Sequence, residues 1–235
     1  MSKAVEFWAV VPAAGTGSRM QTDIPKQYLQ LNGKPVIEHT LKAFCANEKI
    51  KGIVVAISEQ DTWWKKLGIS SHPKIKTTTG GDERCHSVIN CLRSLAAMAA
   101  ADDWVLVHDA ARPCINSGDI DHLIGMLVDH PVGGLLALPV RDTMKRADMD
   151  NVVCDTVNRD GLWHALTPQM FRLALLTQAL QQAIDRNQVV TDESQAMELT
   201  GLKPLLVEGQ ASNIKITRKD DLALAELYLR QVKYF

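Results

Sequence analysis

Short apolar runs alternate with helix-period stretches along most of the chain. Phe7 to Val11 reads as a buried strand that runs into Pro12-Ala13-Ala14-Gly15. From Pro35 to Ala46 the spacing predicts a helix, with Pro35 in its first turn and Ile37, Leu41 and Phe44 on one face. Ile53 to Ile57 is a continuous, mostly β-branched run, as expected of a strand covered on both faces. Ile75 to Thr79 predicts another strand and Ser87 to Met98 a helix carrying Val88, Leu92 and Leu95. A buried strand at Trp104 to His108 precedes a helix marked by Ile120, Leu123, Ile124 and Leu127. Leu135 to Val140 reads as a strand, and Arg172 to Arg186 and Asp220 to Val232 as helices. This alternation predicts an α/β fold, a mostly parallel sheet with helices on both faces.

One segment departs from the alternation. Between Arg141 and Leu166, strand-like pieces at Thr143 to Ala147 and Val152 to Val157 flank Asp148-Met149-Asp150-Asn151, which predicts a β-hairpin. Its charged flanks argue against the core, so an arm over about 139–165 projecting from a single domain spanning 1–235 is expected, or else a solvated edge hairpin.

Composition narrows the function classes. The 235 residues carry 26 Lys and Arg against 27 Asp and Glu, a net charge of −1, which disfavours a nucleic-acid or polybasic membrane binder. No apolar stretch approaches the ~18 residues of a membrane span, and the N-terminus lacks signal-peptide anatomy, so a soluble cytoplasmic protein is expected. The five cysteines form no C-x-x-C pair and no ligand spacing with the seven histidines, which fits free thiols in a reducing compartment.

Candidate chemistry sits where strands give way to helices, the usual ligand edge of an open α/β sheet. Gly15-Thr16-Gly17-Ser18-Arg19 follows the first strand, and small residues there let backbone N–H groups approach phosphate oxygens. Arg19 and Lys26 place two cations close to those glycines. A dinucleotide fingerprint would need glycine at position 20, which is Met20. A P-loop would need Ser or Thr after Gly33-Lys34, where Pro35 stands, and no G-x-S-x-G elbow occurs. Gly80-Gly81-Asp82 and Ser87 form a second polar turn, suited to base or ribose contacts or to a helix cap at Asp82. Asp109, at the end of the Trp104 strand, suits a magnesium ion carried partly by substrate phosphates, or a cap; Arg112 suits a salt bridge.

The motifs Pro12 to Met20, Pro25-Lys26-Gln27-Tyr28, Gly80 to Arg84, Val107 to Pro113, Arg141-Asp142-Thr143, Thr191-Asp192-Glu193 and Asn213 to Thr217, taken in order, resemble the 2-C-methyl-D-erythritol 4-phosphate cytidylyltransferases of isoprenoid biosynthesis. The resemblance implies a Rossmann-like nucleotidyltransferase that joins CTP to the polyol phosphate and releases pyrophosphate. It implies Mg²⁺ or another divalent cation at Asp109, and a homodimer formed through the arm. By position it implies catalytic roles for Arg19, Lys26, Arg159 and Lys215, and nucleotide contacts from Ala13, Ala14, Gly15, Gly17, Gly81, Asp82, Ser87 and Ala110. Substrate contacts would come from Asp109, Arg112, Thr143, Thr167 and Thr191. A ribitol 5-phosphate cytidylyltransferase is the nearest alternative. A uridylyltransferase, a nucleotide sensor without catalysis and an NAD-dependent dehydrogenase are further competing readings.

Overall fold

The structure is a computed structural model and describes residues 5–15 and 24–231, the last by its backbone alone. Its centre is a seven-stranded sheet. The strands are β1 (Phe7–Pro12), β4 (Ile50–Ile57), β5 (Ile75–Thr79), β6 (Trp104–Val107), β7 (Gly133–Pro139), β10 (Trp163–Arg172) and β11 (Leu205–Glu208), in the order β11-β7-β10-β6-β1-β4-β5. All neighbouring pairs are parallel except those of β10, which runs antiparallel to both β6 and β7.

Alternate side chains of the central strands go to opposite faces, as a pleated strand requires. Ala9 and Val11 meet α1 (Val36–Ala46) and α3 (Ser117–Leu127), through Ile37, Leu41, Phe44, Ile120 and Leu123. Trp8 and Val10 face α2 (Arg84–Leu95), α4 (Leu173–Asp185) and α5 (Glu193–Leu199), through Val88, Leu92, Leu176, Leu180 and Met197. The last helix, α6 (Asp220–Gln231), covers a third apolar group around Leu31, Ala111 and Ile216. Each face is therefore sealed by amphipathic helices, which is the expected α/β layering.

Several boundaries differ from expectation. Helix α2 starts at Arg84, three residues before Ser87, so that Ser87 lies inside its first turn. Its N-cap position is Glu83 with no side-chain capping bond, so Asp82 does not cap it. Strand β10 was not expected from the sequence. Pro168 interrupts it, and the pairing with β7 shifts register between Ala165 and Gln169; a proline inside an apolar run normally argues against a central strand. The short α5 and β11 were likewise not expected.

The predicted hairpin forms from β8 (Met144–Ala147) and β9 (Val153–Val157), which pair with each other and not with the central sheet. Residues 141–156 are exposed throughout, including Met149, Val152 and Val153. A further two-stranded ribbon, β2 (Gln30–Leu31) with β3 (Lys34–Pro35), leads into α1.

Candidate active site

A cavity of about 680 Å³ opens at the carboxyl ends of β1, β4, β5 and β6, where helix-bound loops diverge. Its floor is the segment after β1. Ala13 N–H donates to Ala56 O at 2.8 Å, keeping that segment in line with the sheet. Gln27, almost fully buried in a 3-10 turn at Lys26–Tyr28, donates its amide to both Ala13 O (2.7 Å) and Gly15 O (3.0 Å). One side chain thus satisfies two carbonyls of the segment after β1, whose Ala13, Ala14 and Gly15 line the cavity.

The opposite wall is the turn after β5. Gly80 N–H donates to Ile57 O at 2.8 Å, and the Ser87 hydroxyl accepts from Gly81 N–H at 3.1 Å. Glycine at 80 is a packing requirement, since a Cβ there would lie 2.2 Å from Ala14 Cβ. The segment after β1 and the turn after β5 touch at this point.

The third wall follows β6 and holds the strongest charges. Asp109 is buried, with Oδ1 3.0 Å from Arg84 Nε and Oδ2 2.8 Å from Lys215 Nζ. Arg112 Nε stands 3.6 Å from Oδ2, an ion contact too long for a hydrogen bond. Burial alone would raise the Asp109 carboxyl, but Arg84, Lys215 and Arg112 outweigh it and hold the group far below the usual carboxylate range. Arg84 also grips Glu193, itself fully buried, through two bonds of 2.7 and 3.0 Å. Lys215 is placed by backbone pairing of the next residue, Ile216 N–H to Ala111 O at 2.8 Å. The Lys26 ammonium donates to Ile216 O at 3.4 Å, the carbonyl of the residue that follows Lys215.

Behind Asp109, the fully buried His108 braces the loop. Its Nε2 donates to Arg112 O at 3.1 Å and its Nδ1 accepts from the Thr167 hydroxyl at 3.0 Å, because a carbonyl can only accept. Thr167 Oγ1 accepts in turn from Asp109 N–H at 3.2 Å. Burial pushes the imidazole down to about 4, so it is neutral near pH 7.

Among the residues singled out from the sequence, Ala13, Ala14, Gly15, Lys26, Gly81, Asp82, Ser87, Asp109, Ala110 and Lys215 all line this cavity. Arg112 and Thr167 lie buried beside and beneath Asp109, outside the lining. Thr191 is exposed, its backbone N–H and hydroxyl both on Gln195 Oε1. Thr143 and Arg159 sit with the exposed hairpin and its flank, where the Arg159 guanidinium donates to Arg141 O. Arg19 and Gly17 lie outside the described residues. Arg84, Glu193 and Gln27 were quoted within motifs but given no role. Arg84 and Glu193 each open a helix, α2 and α5, and nothing local to either marks the other as its partner.

A sequence model of the 2-C-methyl-D-erythritol 4-phosphate cytidylyltransferase family matches residues 7–231. The chain belongs to this family. A 2-C-methyl-D-erythritol 4-phosphate cytidylyltransferase from Vibrio vulnificus is 52% identical over 225 residues, covering 96% of this chain and 95% of the relative. One from Pseudomonas putida is 53% identical over 217 residues, covering 92% of each. The crystal structure of the Francisella tularensis cytidylyltransferase superposes with a TM-score of 0.84 at 40% identity, over 95% of this chain and 99% of that one. A 4-diphosphocytidyl-2C-methyl-D-erythritol synthase structure gives 0.85 at 36%, over 97% and 100%. As a 2-C-methyl-D-erythritol 4-phosphate cytidylyltransferase, the chain is a nucleotidyltransferase of isoprenoid biosynthesis with a Rossmann-like fold. Among the described residues no helix is long and apolar enough to cross a membrane.

Proposed function

We propose that this cavity brings CTP and 2-C-methyl-D-erythritol 4-phosphate together and transfers the cytidylyl group to the polyol's phosphate, releasing pyrophosphate. The observation that carries the reading is that Lys26 and Lys215 line one cavity together with Ala13 to Gly15 and Gly80-Gly81. The attacking phosphate, with its second pKa near ~6, is largely dianionic at neutral pH and needs no general base. His108, buried and neutral behind the loop, fits a bracing role and not proton transfer. The barrier is repulsion between two anions and the charge that builds at phosphorus, so fixed cations are the useful catalysts. Ala13 to Gly15 with Gly81, Asp82, Ser87 and Ala110 cradle the nucleotide, Lys26 with Arg19 stabilises the triphosphate, and Lys215 with Arg159 orients the polyol phosphate.

Asp109 is a poor resident-metal ligand. Both its oxygens are engaged by cations at 2.8 to 3.6 Å. The lining suits a magnesium ion that enters on the triphosphate, as part of the substrate, since Mg²⁺ is commonly held by phosphate oxygens and water. Asp109 then serves to hold Lys215 and Arg84 in place.

In one chain, Thr143 and Arg159 are absent from the cavity lining. Their place beside an exposed hairpin that carries Met149, Val152 and Val153 supports a homodimer in which the arm of one copy completes the site of the other. The cytoplasm is the proposed location.

Incubation with CTP, Mg²⁺ and either 2-C-methyl-D-erythritol 4-phosphate or ribitol 5-phosphate tests the reading. Cytidine diphosphate-linked product with the first polyol and little with the second is expected. Preference for ribitol 5-phosphate would reassign the substrate, and product with neither would overturn catalysis.

A further inference from the structure

The N-cap and first turn of α2 carry a group of side chains to which the proposed reaction assigns no role. Glu83, Cys85 and His86 offer a carboxylate oxygen, a thiol sulfur and an imidazole nitrogen that all lie within 4.8 Å of one another. The Cys85 sulfur is already 3.7 Å from Glu83 Oε2. We propose that Glu83, Cys85 and His86 form a binding site for a soft divalent cation of the zinc class, at the rim of the nucleotide cavity and separate from Asp109.

The donor chemistry selects the ion. Zinc bonds of about 2.0–2.3 Å at tetrahedral angles place neighbouring ligand atoms roughly 3.5 Å apart. The Glu83–Cys85 pair, at 3.7 Å, is close to that spacing as it stands, and all three ligand atoms lie within 4.8 Å of one another. Sulfur with imidazole favours zinc, cobalt or copper over magnesium, which takes oxygen ligands and water. Three protein ligands leave one tetrahedral position for water.

Electrostatics also favours a cation here. The helix N-terminus contributes roughly half a positive charge, which alone would repel one. The Glu83 carboxylate and a metal-bound Cys85 thiolate together supply two negative charges, the thiol proton being released to solvent on binding. Glu83 makes no capping bond to the α2 backbone and is exposed, so its carboxylate can turn to an ion without breaking a cap.

Position adds a consequence. Glu83 lines the nucleotide cavity and its neighbour Arg84 grips Asp109 and Glu193, so an ion here sits one residue from the charge cluster without sharing its carboxylates. Cys85 and His86 themselves are absent from the cavity lining.

The test is titration of the full-length, reduced protein with Co²⁺, read by absorbance, followed by Zn²⁺. One Co²⁺ per chain with a thiolate-to-cobalt charge-transfer band is expected, displaced by equimolar Zn²⁺ and not by excess Mg²⁺. Cys85→Ser should abolish the band, and His86→Ala should weaken binding by more than about tenfold, a loss already seen when only an outer partner of a metal site is removed. Both variants should keep cytidylyl transfer in chelator-treated buffer with Mg²⁺, which separates this site from the proposed reaction. A missing band, a band that survives in Cys85→Ser, or displacement by Mg²⁺ would overturn the proposal.

Discussion

The Lys215 ammonium lies 2.8 Å from the Asp109 carboxylate, so a residue near the C-terminus is fixed against the loop that leaves the middle of the sheet. The carboxylate that holds it also bonds Arg84. Asp109 therefore anchors two cations that would otherwise repel each other inside one cavity.

Replacing that carboxylate should cost stability as well as turnover. Asp109→Asn leaves the buried Arg112 without its counter-charge and Arg84 with Glu193 alone, and breaking such a buried pair typically costs about 3 kcal/mol or more. For a chain of this size that is a Tm lower by about 6–12 °C. Differential scanning calorimetry checks it, and an unchanged Tm would show that the cations do not depend on Asp109.

Stability should also fall on mild acidification, through His108. Its folded value of about 4 lies below the ordinary ~6.5, so between those limits the unfolded chain takes up a proton that the folded one does not. Stability is full above about pH 6.5 and loses about 3 kcal/mol by pH 4 from this group alone. Asp109, held low, adds its own loss only below about pH 4. Urea unfolding from pH 7.5 to 4.5 should show the decline in the native protein and a shallower one in His108→Gln; equal slopes would contradict the assignment.

The contact between the two glycine turns makes Gly80→Ala informative. The new Cβ meets Ala14 at 2.2 Å, and overpacking of this kind costs roughly 1–3 kcal/mol. Because Ala14 and Gly80 line the cavity proposed to hold the nucleotide, KM for CTP should rise while KM for the polyol phosphate changes little. A variant with native KM for CTP would show that these turns do not cradle the nucleotide.

The proposed exchange of arms predicts complementation. Arg159→Ala and Lys215→Ala are each expected to be nearly inactive. Mixed under conditions that exchange subunits, they should form heterodimers in which one of the two sites is intact, recovering about a quarter of native activity by random pairing. No recovery despite demonstrated exchange would place both residues in one chain's own site.

Much of the architecture was legible because a parallel sheet buries its strands on both faces. The apolar runs at 7–11, 53–57 and 104–108 became β1, β4 and β6, and the i, i+4, i+7 pattern of Ile37, Leu41 and Phe44 became the buried stripe of α1. Strand β10 was hidden by Pro168, and α5 by its length of seven residues, too short for a periodic pattern to stand out. At the site, the glycine turns, Lys26, Asp109 and Lys215 could be read from motifs. The bond between Arg84 and Glu193 could not, because 109 residues separate its partners and nothing local to either names the other. Gln27 escaped for a related reason, since its two loop carbonyls become acceptors only once the chain has folded over it.

The central claim is that fixed positive charge lets two anions react at phosphorus. Single-turnover transfer from CTP to saturating 2-C-methyl-D-erythritol 4-phosphate, in the native protein and in Lys26→Ala, tests it most directly. A chemical step slower by about 10²–10³, the usual loss for one preorganised charge-stabilising donor, is the predicted result. An unchanged rate constant in the correctly folded variant would contradict it.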